Sequence, residues 1–141
     1  MLVSTKGRYA LRIMLELGHC PAGEWLSLPV IAQRQEISEK YLESIISVLV
    51  KAHLVEGLRG KNGGYRLLRP VEQYSVGEIL RLTEGTLAPV ACLEGESNPC
   101  PRCDCCATLP LWQELDRRIN EYLDSVTLRD LMAQAGEDCA L

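Results

Sequence analysis

The chain has 141 residues, 47% of them hydrophobic, 24% charged and 5% aromatic, with no phenylalanine and a formal net charge of -4. These proportions fit one globular domain with room for an appendage, and they exclude a disordered or collagen-like chain. No stretch reaches the roughly 18 apolar residues of a membrane span, and Met1 to Gly7 carries no signal-peptide pattern, so a soluble, cytoplasmic protein with no membrane partner is expected.

The net charge hides an asymmetry. Up to Pro70 there are ten Lys and Arg against six Asp and Glu; beyond it there are five against thirteen. A basic front half suits contact with a polyanion even when the whole chain is acidic.

From Ser4, the stretch STKGRYALRIMLELG places Ala10, Ile13, Met14 and Leu17 at helical spacing. Ser4 or Thr5 can cap this helix and Gly18 can stop it. Ser27 opens a short second helix with Pro29 in its first turn and Val30 and Ile31 on its inner side. Ser38 then caps a third helix, whose apolar positions Tyr41, Leu42, Ile45, Ile46 and Leu49 leave Glu39, Lys40, Glu43, Ser44, Ser47 and Lys51 on the opposite face. Leu54 to Leu58 and Tyr65 to Arg69 read as two strands joined by RGKNGG, a hairpin with a basic tip. This order is that of a winged helix-turn-helix.

Beyond Pro70, Ser75 and Glu78 stand in the relation of a capping box, opening a helix through Ile79, Leu80 and Leu82 that Gly85 ends. After a cysteine-rich loop, Pro110 suits the start of a longer helix. Its apolar residues Trp112, Leu115, Ile119, Tyr122 and Val126 repeat at heptad spacing. So narrow a seam fits a helix–helix dimer contact. Thr127 caps a last short helix through Leu128, Leu131 and Met132, and the tail from Gly136 is expected to fray. The fold class expected is mostly α with a small β-hairpin wing: a winged helix-turn-helix domain plus a long dimerisation helix. Residues 1–70 would form the DNA-binding region, 71–106 the connecting helix and cysteine-rich loop, and 107–141 the dimerisation helix and tail.

For DNA, the third helix offers Ser38, Lys40, Tyr41, Glu43 and Ser44, with Glu43 suited to accept from a cytosine amino group in the major groove. The wing offers Arg59, Gly60 and Lys61, with Arg66 nearby, on a tip slim enough for a minor groove. A solvated helix face and an ordinary charged hairpin are the plainer alternatives. RGKNGGY lacks the spacing of a phosphate-binding loop and lies between strands. No G-x-S-x-G elbow or nucleophile–base pair is present, so enzymatic activity is not expected. His19 and His53 read as surface residues.

Five of the seven cysteines, Cys92, Cys100, Cys103, Cys105 and Cys106, fall within fifteen residues, while Cys20 and Cys139 stand apart as incidental thiols. A tight cluster reads as a metal or redox site. Thiolates at Cys92, Cys100 and Cys106, with Cys103 and Cys105 between them, could hold an iron–sulfur cluster. A zinc site built on the Cys100-x-x-Cys103 knuckle and a thiol switch at the adjacent pair Cys105 and Cys106 are the alternatives.

STKGRYALR, ISEKYLE, LVEGLRGKNGGYRL, SVGEIL and the three spaced cysteines ahead of LW resemble, over nearly the whole chain, the Rrf2 family of bacterial winged-helix transcription regulators, with its IscR, NsrR and CymR types. The resemblance implies a homodimer held by the helix carrying Trp112 to Val126, a reader of palindromic double-stranded operators, and a reader glutamate and wing arginine at Glu43 and Arg59. In the cluster-binding branch it implies three ligands, which fall on Cys92, Cys100 and Cys106, for a cluster of 2Fe–2S or 4Fe–4S type reporting iron, redox or nitric oxide status. Two positions depart from the pattern: Leu109 stands where the IscR type has a histidine, and Arg8 where the NsrR type has an aspartate. Cys103 and Cys105 are then the candidates for a fourth ligand. The alternative function is a zinc-stabilised or thiol-switched regulator acting through protein contacts.

Overall fold

A computed structural model describes residues 3–135. The expected fray from Gly136, and Cys139, lie outside the described residues. Helix α1 spans Thr5–His19, α2 Leu28–Gln35 and α3 Glu39–Lys51. Strands β1 (Val55–Leu58) and β2 (Gly64–Leu67) form an antiparallel hairpin, followed by α4 (Val76–Glu84), α5 (Leu109–Ser125) and α6 (Leu128–Gln134). The class is the expected one, mostly helical with a two-stranded wing.

Local chemistry accounts for most boundaries. Ser4 caps α1 by accepting the Gly7 amide at 3.2 Å, Ser38 caps α3 by accepting that of Tyr41 at 3.1 Å, and Ser75 caps α4 by accepting that of Glu78 at 3.1 Å. The box at Ser75 is only half made, because the Glu78 carboxylate turns to Arg69. Thr127 and Asp130 complete a full box at α6. Gly85, at φ 79°, ends α4 as expected. Gly18 does not end α1, which runs on to His19; a Cβ there would lie 3.0 Å from Val71 and 3.3 Å from Met132, so the position serves close packing of the helix.

Two apolar clusters hold the elements. The larger joins Ala10, Ile13, Met14 and Leu17 of α1 to Ile31, to Leu42, Ile45, Ile46 and Leu49 of α3, and to Leu54 and Val55. Tyr74, Ile79 and Leu128 belong to it as well, so residues beyond Pro70 complete the core of the front region. The smaller one, Val76, Leu80 and Leu87, receives Ile119, Leu123 and Val126 from α5 and its end. Backbone pairing reinforces this seam: the Val76 amide donates to the Val126 carbonyl at 2.8 Å and the Leu128 amide to the Tyr74 carbonyl at 3.0 Å.

Candidate nucleic-acid interface and cysteine segment

Helix α3 buries Leu42, Ile45, Ile46 and Leu49, which fixes its rotation and leaves Lys40, Glu43, Ser44, Ser47 and Lys51 outward. Lys40 and Glu43 form no ion pair among the described residues. Ser38 is exposed and occupied as the cap, while Ser44 donates its hydroxyl back to the Tyr41 carbonyl at 2.6 Å. Tyr41 is half-buried, its ring edge-on to Tyr9 of α1 at 5.9 Å. The turn between α2 and α3 is made by Glu36 at φ 55°, a left-handed C-cap.

The wing leaves two of its cations free. Gly63 closes the tip, its amide donating to the Gly60 carbonyl at 3.0 Å, and a Cβ on Gly63 would stand 2.0 Å from the Leu58 carbonyl oxygen. Gly60 sits at φ 115°, a conformation that favours glycine. Arg66 is committed inside the wing, 2.5 Å from Glu56 and 4.1 Å over the Trp25 ring. Arg69 binds Glu78 at 2.8 Å and lies 4.2 Å over Tyr74. Arg59 and Lys61 are exposed and form no ion pair among the described residues. A cleft of about 580 Å³ runs between the start of α2, α3 and the wing, bordered by Ser27, Glu43, Ser47, Lys51 and Arg59. Free cations on either side of a groove suit a phosphate backbone.

Helix α5 lies on α4 through a charge clamp. Arg81 donates to both carboxylate oxygens of Asp124, at 2.7 and 2.9 Å, and to Asn120 at 2.7 Å. This bidentate contact holds the Arg81 guanidinium pKa above its ordinary value. Gly77 is required beneath it, since a Cβ would meet Asp124 Oδ1 at 2.2 Å. The heptad residues divide: Ile119 and Val126 face the chain's own core, whereas Leu115 and Tyr122 point outward, 39% and 68% exposed, with Leu111 at 59%. Trp112 is half-buried, and no residue of α5 is fully buried.

The cysteine segment links α4 to α5 through two short 3₁₀ turns, Ala91–Leu93 and Cys103–Cys105. Cys92, Cys100, Cys103 and Cys106 are half-buried free thiols and Cys105 is exposed. Cys106 lies 3.4 Å from the Thr108 hydroxyl; that bond and the backbone amides of Thr108 and Leu109 hold its thiol below the usual range. Thiolates are the right donors for an iron–sulfur cluster or zinc. Their placement does not match, because among the described residues no three His, Cys, Asp or Glu side chains converge to hold a metal, and Cys92, Cys100 and Cys106 are not gathered as a ligand set. Sequence reasoning missed Tyr74 and Arg81, whose partners lie 20 and 43 residues away and leave no local signature.

Helix, left-handed turn, helix and basic wing together define a winged helix-turn-helix DNA-binding protein. The chain belongs to the Rrf2 family: residues 3–134 match the family model described as iron-dependent transcriptional regulator. It is 42% identical over 131 residues to the HTH-type transcriptional regulator CymR of Bacillus subtilis, covering 93% of this chain and 89% of that one. The solved structure of CymR, the global cysteine regulator of B. subtilis, superposes with TM-score 0.78 at 39% identity, covering 96% of this chain and 99% of that one. That of T. potens IscR superposes with TM-score 0.76 at 38% identity, covering 100% and 93%. The protein is therefore a DNA-binding transcription regulator of a non-enzymatic family. No helix among the described residues is long and apolar enough to cross a membrane.

Proposed function

We propose that the chain works as a homodimer reading a palindromic operator, with α3 in a major groove, the wing tip in the adjacent minor groove, and affinity set by the chemical state of the cysteine segment. The observation that carries the reading is that Glu43, Ser47 and Lys51 on the outward face of α3 and the unpaired Arg59 of the wing border one cleft, with the exposed Lys61 two residues along the tip. Glu43, Lys40 and Ser44 supply the base contacts, with Ser38 and Tyr41 at the start of the helix beside them; Arg59, Gly60 and Lys61 supply the wing contacts. The outward row of Leu111, Leu115 and Tyr122, with Trp112 beside it, supplies the partner contact. Selection of operator sequences from a random duplex pool, followed by titration at rising salt, tests it: a palindromic consensus and a steep salt dependence are expected, and sequence-indifferent binding would overturn it.

The segment leads directly into α5, so anything that favours one setting of α5 on α4 shifts operator affinity by the same factor that the operator shifts it. The resemblance favours an iron–sulfur cluster on Cys92, Cys100 and Cys106, with Cys103 or Cys105 as a fourth donor; such a group supplies sensitivity to iron, oxidants and nitric oxide. The second reading is direct thiol chemistry, favoured by the dispersed placement of the three thiols. Iron, sulfide and zinc analysis of anaerobically purified protein separates them. Brown protein bleached by serine at any of the three cysteines supports the cluster; colourless protein without iron overturns it.

A further inference from the structure

Cys100 and Cys103 bracket a single closed turn. The Cys103 amide donates to the Cys100 carbonyl at 3.2 Å, with Pro101 and Arg102 as the central residues. Such a turn keeps its end Cα atoms within about 7 Å, and a disulfide spans Cα atoms about 4.4 to 6.8 Å apart. Proline's fixed φ suits the first central position. The Asn98 carboxamide also accepts the Cys100 amide at 2.9 Å, which holds the first residue of the turn in place. Both thiols are half-exposed and outside any disulfide, with Cys103 Sγ donating to the Asp104 carboxylate at 3.7 Å.

The neighbouring thiols are placed differently. Cys105 Sγ points to the Arg102 carbonyl at 3.6 Å, and Cys106 Sγ lies against Thr108. Cys103 and Cys106 share the same spacing across the 3₁₀ turn Cys103–Cys105, but Cys106 is the thiol drawn to the Thr108 hydroxyl. A link between the adjacent Cys105 and Cys106 would need a strained geometry.

We propose that Cys100 and Cys103 are a reversible dithiol–disulfide pair, a modification site oxidised by low-molecular-weight disulfides. The thiolate of one cysteine attacks a sulfur of the small disulfide; a mixed disulfide forms, the original S–S bond breaks, and one small thiolate leaves with the electron pair and takes up a proton. The second cysteine, its proton released to solvent, attacks the protein sulfur of the mixed disulfide. The Cys100–Cys103 bond forms, and the second small thiolate leaves and is protonated. Two protein thiols are oxidised and one small disulfide is reduced to two thiols. A loop this short gains little from unfolded-state entropy, and exposed, constrained disulfides are the readily reduced ones, so the bond opens again under reducing conditions. Oxidation withdraws Cys100 from any set of thiolate donors. The pair stands apart from the DNA reading and holds whether or not that reading does.

The test equilibrates the full chain, as purified anaerobically and after chelator treatment, with mixtures of oxidised and reduced glutathione. Free thiols are then blocked, and intact mass and non-reduced tryptic peptides are measured. Cleavage after Arg102 separates the two cysteines, so a link between peptides 82–102 and 103–117, assigned by fragmentation to Cys100 and Cys103, is the expected product. Cys103→Ser is expected to lose the intramolecular link and retain a glutathione adduct at Cys100. Cys105→Ser and Cys106→Ser are expected to keep the link. A bond mapping to Cys106, a link that survives Cys103→Ser, or no intramolecular bond in the chelator-treated chain would overturn the proposal.

Discussion

The hydroxyl of Tyr74, a fully buried side chain, donates to the Leu54 carbonyl at 2.6 Å and accepts the amides of Leu68 and Arg69 at 3.1 and 2.9 Å. One phenol oxygen thus ties the base of the wing to the start of α4. The Tyr74 carbonyl accepts the Leu128 amide, which continues the tie to the junction of α5 and α6.

Tyr74→Phe keeps the ring and its contact with Arg69 but removes all three bonds. The Arg69 amide loses its acceptor, and the Leu68 amide retains only the long bond to Leu54 at 3.4 Å. Unsatisfied buried groups cost about 1 to 3 kcal/mol each, so a destabilisation of roughly that size is expected in urea unfolding. A loss under about 0.5 kcal/mol would mean that water replaces the phenol.

On a selected operator, Glu43→Ala is expected to relax preference at one base pair by about 1 to 3 kcal/mol. Arg59→Ala should instead weaken binding to all sequences tested at the wing and flatten the salt dependence. Arg66→Ala is expected to act through stability, since Arg66 is spent on Glu56 and Trp25. Competition titrations with single-position operator variants measure all three; identical discrimination by Glu43→Ala and the parent chain would remove Glu43 from the reader set.

For assembly, the outward residues are the informative ones. Leu115→Asp and Tyr122→Asp are expected to yield monomers in sedimentation velocity with helical content retained. Ile119→Asp should also lower stability, because Ile119 packs on the chain's own Val76, Leu80 and Leu87 cluster. A dimer that survives both outward substitutions would place the partner contact off α5.

Acid should loosen the surface of α5 in a definite window. Arg117, then Arg118, lower the Glu114 carboxyl from 4.5 to about 2. Because the folded value lies below the unfolded one, the stabilisation is present above about pH 4.5 and is lost as pH falls toward 2. Glu114 lies at the surface, its side chain 45% exposed, so the effect is small and salt-sensitive. Thermal unfolding across this window should show a smaller acid loss for Glu114→Gln than for the parent chain, and the difference should shrink at high salt.

The elements themselves were legible because their signals are local. Serine caps at Ser4, Ser38 and Ser75, the 3.6-residue apolar rows of α1 and α3, and the glycines of the wing tip each act within a few residues, and all lie where the sequence alone puts them. Which polar groups remain free was a different matter. Arg66 and Arg59 look alike in the sequence, yet only packing against Trp25 and Glu56 commits the first and leaves the second for a partner. The heptad row of α5 was equally legible, but its division into Ile119 and Val126 inward, Leu115 and Tyr122 outward, came from the seating of α5 on α4 by Arg81 and Asp124. Cysteine spacing likewise named candidate donors, which the described residues do not bring together as a metal-holding group. Side-chain pairing across 20 to 43 residues is set by how helices pack, and sequence periodicity holds no record of it.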